Sequence, residues 1–255
     1  MKIRLWFLPG LALLAGCQAG MIANPHDPAT VSVVDAKVVL EAYNDARERL
    51  ESRVNDKDLT PKEAQQLLRD YLHRQAVTIK PDRVPDEEAW RYADIFRLSG
   101  DWKTAEQLYA RASGHAKAAN DIDRWVNDTL RLAWTQAQLG KVEMAIATAR
   151  TTFEAPAAGK APLLYAVLYE IVPAGQDKGH DEALADLIVD AAAEHMKVQV
   201  NPQTDGGQQF LATRRYHLGR ARTAALELYE KAGKQDKVSQ TLTKFDELVR
   251  LERSI

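Results

Sequence analysis

From Asp35 onward the apolar positions of this chain recur with the 3.6-residue period of an amphipathic helix. The stretch Asp35 to Arg53 opens on an acid and carries Val38, Leu40, Ala42, Tyr43, Ala46 and Leu50 at helical spacing. Thr60-Pro61-Lys62-Glu63 reads as a capping box with proline at the first helical position. There the Thr60 hydroxyl and the Glu63 carboxylate each take up a first-turn N–H, and proline has none to lose. The helix it opens bears Ala64, Leu67, Leu68 and Tyr71. Pro85-Asp86-Glu87-Glu88 starts the next, with acids at the positive end of the helix dipole. Val31-Ser32-Val33-Val34 is the nearest approach to a strand and is too short to count as one. Helix breakers cut the remainder into segments of roughly 12 to 20 residues. The expected fold class is therefore all-α.

An internal repeat organises these helices. In the run from Trp90 to Ala112, small Ala93 precedes Phe96 by three residues, Gly100-Asp101-Trp102 makes a turn, and Ala105, Tyr109 and Ala112 line one face of the following helix. A small residue on each helix lets the two backbones approach where they cross, and the aromatics fill the space on either side. A second copy follows about 40 residues on, with Leu132-Ala133, Gly140-Lys141-Val142 and Ala145. Later copies are weaker. Gly179-His180-Asp181-Glu182-Ala183 opens one second helix; Ala212, Gly219 and Ala224 fit another copy. Leu226, Tyr229, Gly233 and Val238 fit a last hairpin closed by Leu242, Phe245 and Leu248. This pattern resembles the tetratricopeptide repeat, specifically over 86–150 and loosely over 86–250. It departs from it at Gln136, at Ala149 and in lacking the family's terminal prolines. The usual period of about 34 residues is lengthened here, a difference assigned to the stretch from Gly114 to Asp121. The resemblance implies a TPR-like α-solenoid of stacked antiparallel hairpins over 35–255; the rival architecture is an irregular helical bundle.

The start of the chain has another character. Met1-Lys2-Ile3-Arg4 is basic, and Leu5 to Ala15 is almost wholly apolar. That is a secretory n-region and h-region, too short and too broken at Pro9-Gly10 to cross a bilayer. Leu14-Ala15-Gly16-Cys17 resembles the bacterial lipobox, which implies cleavage after residue 16 and acylation of Cys17. Cys17 is the one cysteine of the chain, so no internal disulfide can form and the fold must rest on its core. Two or more acyl chains hold a protein stably on a membrane, at about 0.8 kcal/mol per buried CH₂. Gln18, in place of an aspartate, directs the expectation to the outer membrane, facing the periplasm. Residues 17–34, with Asn24-Pro25-His26-Asp27-Pro28, read as the lipidated cysteine and a tether, of which the dozen or so residues from Gln18 to about Thr30 span roughly 40 Å when extended.

Charge and motif content narrow the function. Cleavage removes Lys2 and Arg4 and no acid, leaving 32 basic and 36 acidic side chains and taking the formal charge from −2 to −4. Such a surface argues against nucleic acid as a partner. The six histidines, His26, His73, His115, His180, His195 and His217, show no zinc spacing and read as surface residues; His180 and His195 are a candidate meeting pair. There is no nucleophile elbow and no phosphate loop. Asp205-Gly206-Gly207 reads as a turn before a helix. The carboxylate pairs Glu87-Glu88 and Asp181-Glu182 sit in first turns, where helix stability alone accounts for them. No catalytic residue, metal or cofactor is expected beyond covalent lipid on Cys17.

The resemblance also implies a groove lined by positions of the first helix of each repeat. In the first copy these are Glu87, Trp90, Asp94, Arg97 and Leu98; in the second, Asn127, Leu130, Trp134 and Gln138; in a later copy, Tyr216 and His217. The candidate partner-binding set is Trp90, Asp94, Arg97, Asn127, Trp134 and Gln138. Aromatic rings beside amides and an arginine suit an extended or helical peptide, while packing between hairpins accounts for Trp90 and Trp134 equally well. The expectation is a lipid-anchored, non-catalytic scaffold for a protein partner. The alternative is an enzyme or small-ligand binder, marked by a pocket between hairpins with a perturbed carboxylate or histidine.

Overall fold

The computed structural model describes residues 34–252. The expected leader, Cys17 and the tether before Val34 lie outside them. Among the described residues the regular structure is helical throughout, in five successive hairpins. The first pairs α1 (Ala36–Asn55) with α2 (Pro61–Ala76), the second α3 (Ala89–Ser99) with α4 (Trp102–Ala118), and the third α5 (Ile122–Gln138) with α6 (Val142–Thr151). In the fourth, α7 (Leu163–Ala166), a π-helical turn (Val167–Ile171) and α8 (Val172–Gly175) form one run facing α9 (Asp181–Met196). The last pairs α10 (Asp205–Lys231) with α11 (Gln235–Glu252). Each helix packs chiefly on its neighbours in sequence, so the hairpins form a stack.

Local chemistry fixes the helix ends. Asp35 caps α1 by accepting from the Lys37 N–H at 2.8 Å. The Thr60 capping box is formed in both directions: the Thr60 N–H donates to Glu63 at 2.8 Å, and the Glu63 N–H donates to the Thr60 hydroxyl at 3.3 Å. Asp101 and Asp121 cap α4 and α5 by accepting from the N–H of Thr104 and Arg124. Gly100 and Gly140 end α3 and α5 at φ +93° and +79°, a left-handed backbone that side chains with a Cβ resist.

The core residues expected at the crossing of the second hairpin are in place. Ala93, Phe96, Ala105, Tyr109 and Ala112 are all buried. The equivalent Ala133 and Ala145 are buried between α5 and α6. The core falls into two parts, one among α1 to α4 and one among α5 to α11. They meet along α4 and α5, at a seam with polar contacts such as the Ser113–Thr129 hydroxyl pair at 2.7 Å.

Several expectations are corrected. The inner stripe of α1 runs through Ala36 and Val39; Val38 is 59% exposed. On α2 the inward leucine is Leu72, and Leu67 is exposed. Residues 86–88 form a turn, and α3 begins only at Ala89. The long repeat period does not come from a loop after Gly114, which lies inside α4: α4 and α5 each run 17 residues. Gly219 makes no turn, because α10 passes through it as a single 27-residue helix. The last hairpin turns at Gly233, φ +71°, as expected from its sequence.

The π turn has a local cause. Pro173 has no N–H for the carbonyl one turn earlier, and its ring collides with that carbonyl in a regular helix. The ladder widens just ahead of it, and the Val172 N–H reaches back five residues to the Val167 carbonyl.

Ala105 has no exposed surface at the α3–α4 crossing. Ala105→Leu is expected to destabilise the protein by about 1–3 kcal/mol, since overpacking displaces backbone as well as side chains. Urea denaturation measures this; an unchanged midpoint would mean that Ala105 does not mark the crossing.

Candidate functional site

The first helices of the second and third hairpins, α3 and α5, present the residues named from sequence. Asp94 on α3 is buried and accepts three side-chain donors. The Tyr109 hydroxyl from α4 donates to Oδ1 at 2.5 Å, Arg97 Nη2 donates to the same oxygen at 2.9 Å, and Arg131 from α5 donates to Oδ2 at 2.6 Å. Arg97 Nε also donates to the Tyr109 oxygen at 3.0 Å. Burial, reinforced by the Asp94 charge, pushes the Tyr109 hydroxyl far above its usual pKa, so it stays a donor. Burial opposes the charge on Arg97, but the Tyr109 oxygen and Asp94 outweigh it and hold the guanidinium above its ordinary value. Arg131 behaves likewise, burial being overcome chiefly by Asp94. Glu170, on the π turn, faces the same two arginines; burial nonetheless raises its pKa.

A second pair is built one repeat along. Arg124 holds Asp128 through one nitrogen at 2.7 and 2.8 Å, and burial raises the Asp128 pKa despite that pairing. The two tryptophans are exchanged between these pairs. Trp90 of α3 lies under the guanidinium of Arg124 of α5, at 3.7 Å. Trp134 of α5 lies under Arg97 of α3, at 4.9 Å, with the ring of Trp102 edge-on at 5.7 Å. Each half-buried indole thus covers an arginine–aspartate pair of the neighbouring hairpin, and adds a cation–π attraction of about 0.5–2 kcal/mol.

Of the sequence-named set, Trp90, Asp94, Arg97 and Trp134 therefore join one network across α3, α4 and α5. Asn127 and Gln138 are exposed on α5; the Asn127 amide donates to the Asp123 carbonyl of its own helix. Leu130 is core and Glu87 precedes α3. Tyr216 and His217 come together with Tyr165 and Tyr169 at the other end of the stack. Sequence reasoning gave Tyr109 as a core residue only, and did not find Arg124, Arg131 or Glu170. The spacings Asp94–Arg97 and Arg124–Asp128 were a usable signal, because residues three and four apart share a helix face. Arg131, 37 residues from Asp94, gave none.

A cleft of about 310 Å³ opens beside Trp90, lined also by Asp86, His115, Asp121, Arg124 and Asp128. Among the described residues no group of three or more metal-ligating side chains converges.

His195 corrects the surface reading of the histidines: it is 4% exposed, and neither ring nitrogen has a hydrogen-bond partner. It lies at the opposite end of α9 from His180, about 22 Å away at 1.5 Å per residue, so the two do not meet. Its neighbours are Phe210, ring to ring at 4.9 Å, and the fully buried Arg214, whose Nη2 donates to the Val198 carbonyl at 2.6 Å. Both buried polar residues fall on apolar stripes, with Ile188 and Ala192 before His195 and with Leu218 and Ala221 after Arg214, a signal present in the sequence.

Comparison with models of known protein families and with curated protein sequences gives no match for this chain. The fold and the site geometry alone define it as an all-α stack of helical hairpins with a ring-and-guanidinium face.

Burial, then the charges of Arg214 and His217, lower the His195 pKa from 6.5 to about 4. The unfolded chain then binds the additional proton first as pH falls, so stability drops between pH 6.5 and 4 and levels off below. His195→Leu is expected to flatten that slope. Stability against urea at several pH values checks it, and an equal slope in both proteins would assign the acid sensitivity elsewhere.

Proposed function

We propose that the protein is a lipid-anchored scaffold of the bacterial cell envelope, held by acylated Cys17 and binding a protein partner along the exposed edges of its α3 and α5 residues. It carries out no chemistry in this reading and needs no cofactor beyond the lipid. The observation that carries the partner half is the exchange of Trp90 and Trp134 over Arg124 and Arg97. It holds two large rings and two guanidinium groups in fixed directions with their outer edges still open, beside the exposed amides of Asn127 and Gln138. Tryptophan and arginine dominate binding energy at interfaces, and groups already held in place lose little freedom on binding. The anchor half rests on Leu14-Ala15-Gly16-Cys17 behind a basic and apolar leader, with Gln18 favouring the outer membrane. Among the described residues no helix is long and apolar enough to cross a membrane, so attachment in this reading falls to the lipid.

The second reading, a small-molecule site, draws on the cleft beside Trp90, where the raised pKa of Asp128 meets the condition set for it. In that case a compound small enough to fill the cleft would stabilise the protein against heat, and Asp128→Asn would abolish the effect.

Two experiments test the scaffold. Labelling with radioactive palmitate is expected to mark the wild-type chain and leave Cys17→Ser unlabelled; equal labelling defeats the anchor. Co-purification from cross-linked envelopes is expected to fall at least tenfold in Trp90→Ala and Trp134→Ala, compared at a temperature where circular dichroism shows both folded. Unchanged recovery of the partner would remove this face from the interface.

A further inference from the structure

At the far end of the stack a second cluster forms on the first helices of the fourth and fifth hairpins. Tyr165 and Tyr169 stand one turn apart on the run that contains the π turn, with ring centroids 4.8 Å apart. His217 of α10 lies 6.3 Å from Tyr165 and 5.8 Å from Tyr169, and its Nδ1 is 3.2 Å from the Tyr169 hydroxyl. Tyr216 adds a fourth ring at 5.4 Å from His217. Tyr165 and Tyr216 are 55% and 61% exposed, although both are large amphipathic rings. Burial raises the Tyr169 pKa, and the Tyr216 hydroxyl and the Arg220 charge both act on the same oxygen.

Charge separates this cluster from the α3–α5 face. There every guanidinium is paired with a carboxylate: Arg97 and Arg131 share Asp94, and Arg124 has Asp128. On α10, Arg222 lies 3.6 Å from Asp246. Exposed Arg220, beside Tyr169, makes no ion pair with any carboxylate among the described residues. The cluster therefore offers a cation and two phenols with no internal anion, next to two projecting rings.

Ring orientation narrows the partner further. Tyr165, Tyr169 and Tyr216 stand at 85°, 74° and 71° to His217, and Tyr165 and Tyr169 are tilted by 49° to one another. Rings set at these angles form no single flat platform on which a sugar ring stacks, and they offer edges and faces against which a side chain packs. We propose that Tyr165, Tyr169, Tyr216, His217 and Arg220 form a docking site for a peptide segment of a partner protein, one that pairs a carboxylate with an adjacent apolar or aromatic side chain. The carboxylate meets Arg220 and the Tyr169 hydroxyl, and the apolar side chain packs against the exposed rings of Tyr165 and Tyr216. This rests on the scaffold reading above but uses different residues, so the two can fail separately.

The test is selection from a library of random peptides displayed on phage, against the immobilised full chain. The expected result is enrichment of sequences with aspartate or glutamate beside an apolar residue, and a loss of binding of tenfold or more in Arg220→Glu and in Tyr165→Ala/Tyr216→Ala. All these side chains but Tyr169 and His217 are exposed, so the variants keep their fold, which circular dichroism verifies. Arg220→Lys, which keeps the charge, is expected to retain most of the binding. No enrichment, a basic or charge-free consensus, or peptides that bind the variants as well as the wild type would overturn the proposal. So would displacement of the selected peptides by a soluble acidic oligosaccharide that itself binds through these residues, which would make the site a glycan site. Loss of envelope partner capture in the tryptophan variants with peptide binding intact would leave this site standing and the α3–α5 face as a separate one.

Discussion

A single buried carboxylate ties the middle of this molecule together. Asp94 accepts from a tyrosine of α4 and from arginines of α3 and α5, so three helices from two hairpins converge on two oxygen atoms. Removing such a carboxylate leaves guanidinium groups stranded in a region shielded from water, and breaking a buried pair in this way costs about 3–5 kcal/mol. Hydrophobic contact alone brings the hairpins together without fixing how far one slides along the next. The fan of donors on Asp94 admits one register. Its position at the seam between the two parts of the core is where register would otherwise be least defined.

The exchanged tryptophans extend the same arrangement outward. Because each indole covers an arginine of the other hairpin, the face proposed to meet a partner is a product of the packing between hairpins rather than of either alone. In that proposal structure and binding do not compete as explanations for Trp90 and Trp134, since the half-buried rings pack inward and keep an outer edge open. The tyrosine cluster at α7 and α10 is built differently. It includes the π turn that precedes Pro173, and its cation, Arg220, acts on the Tyr169 oxygen and makes no ion pair with a carboxylate among the described residues.

Much of the architecture was legible because its determinants are local. The turns at Gly100 and Gly140 need a left-handed backbone, the Thr60 box carries its own hydrogen-bonding partners, and Ala93 and Ala105 mark a crossing by being small. Gly219 misled because a helix tolerates an exposed glycine for about 1 kcal/mol, so a glycine alone does not compel a turn. On α1, Val38 and Val39 are equally apolar, and only the tertiary partner decides which faces inward. The site was half legible. Trp90, Asp94, Arg97 and Trp134 came from the repeat pattern, whereas Arg131 comes from the next hairpin and Glu170 from the one after it, and no periodicity encodes such a meeting. His195 was passed over because polarity was weighed above the apolar stripe on which it lies.

Packing between sequence neighbours has a consequence for how the chain comes apart. When every layer touches only the layers beside it, cohesion is close to a sum of hairpin terms and interface terms, as in a one-dimensional array. Such an array melts from its ends. The outer hairpin of α1 and α2 contributes few fully buried side chains, so its amide protons would exchange with solvent by local fraying, ahead of those in α4 and α5. The middle helices, locked by Asp94 and covered on both sides, would be the last to open. The loss of structure would then travel inward, layer by layer, towards the carboxylate at the centre.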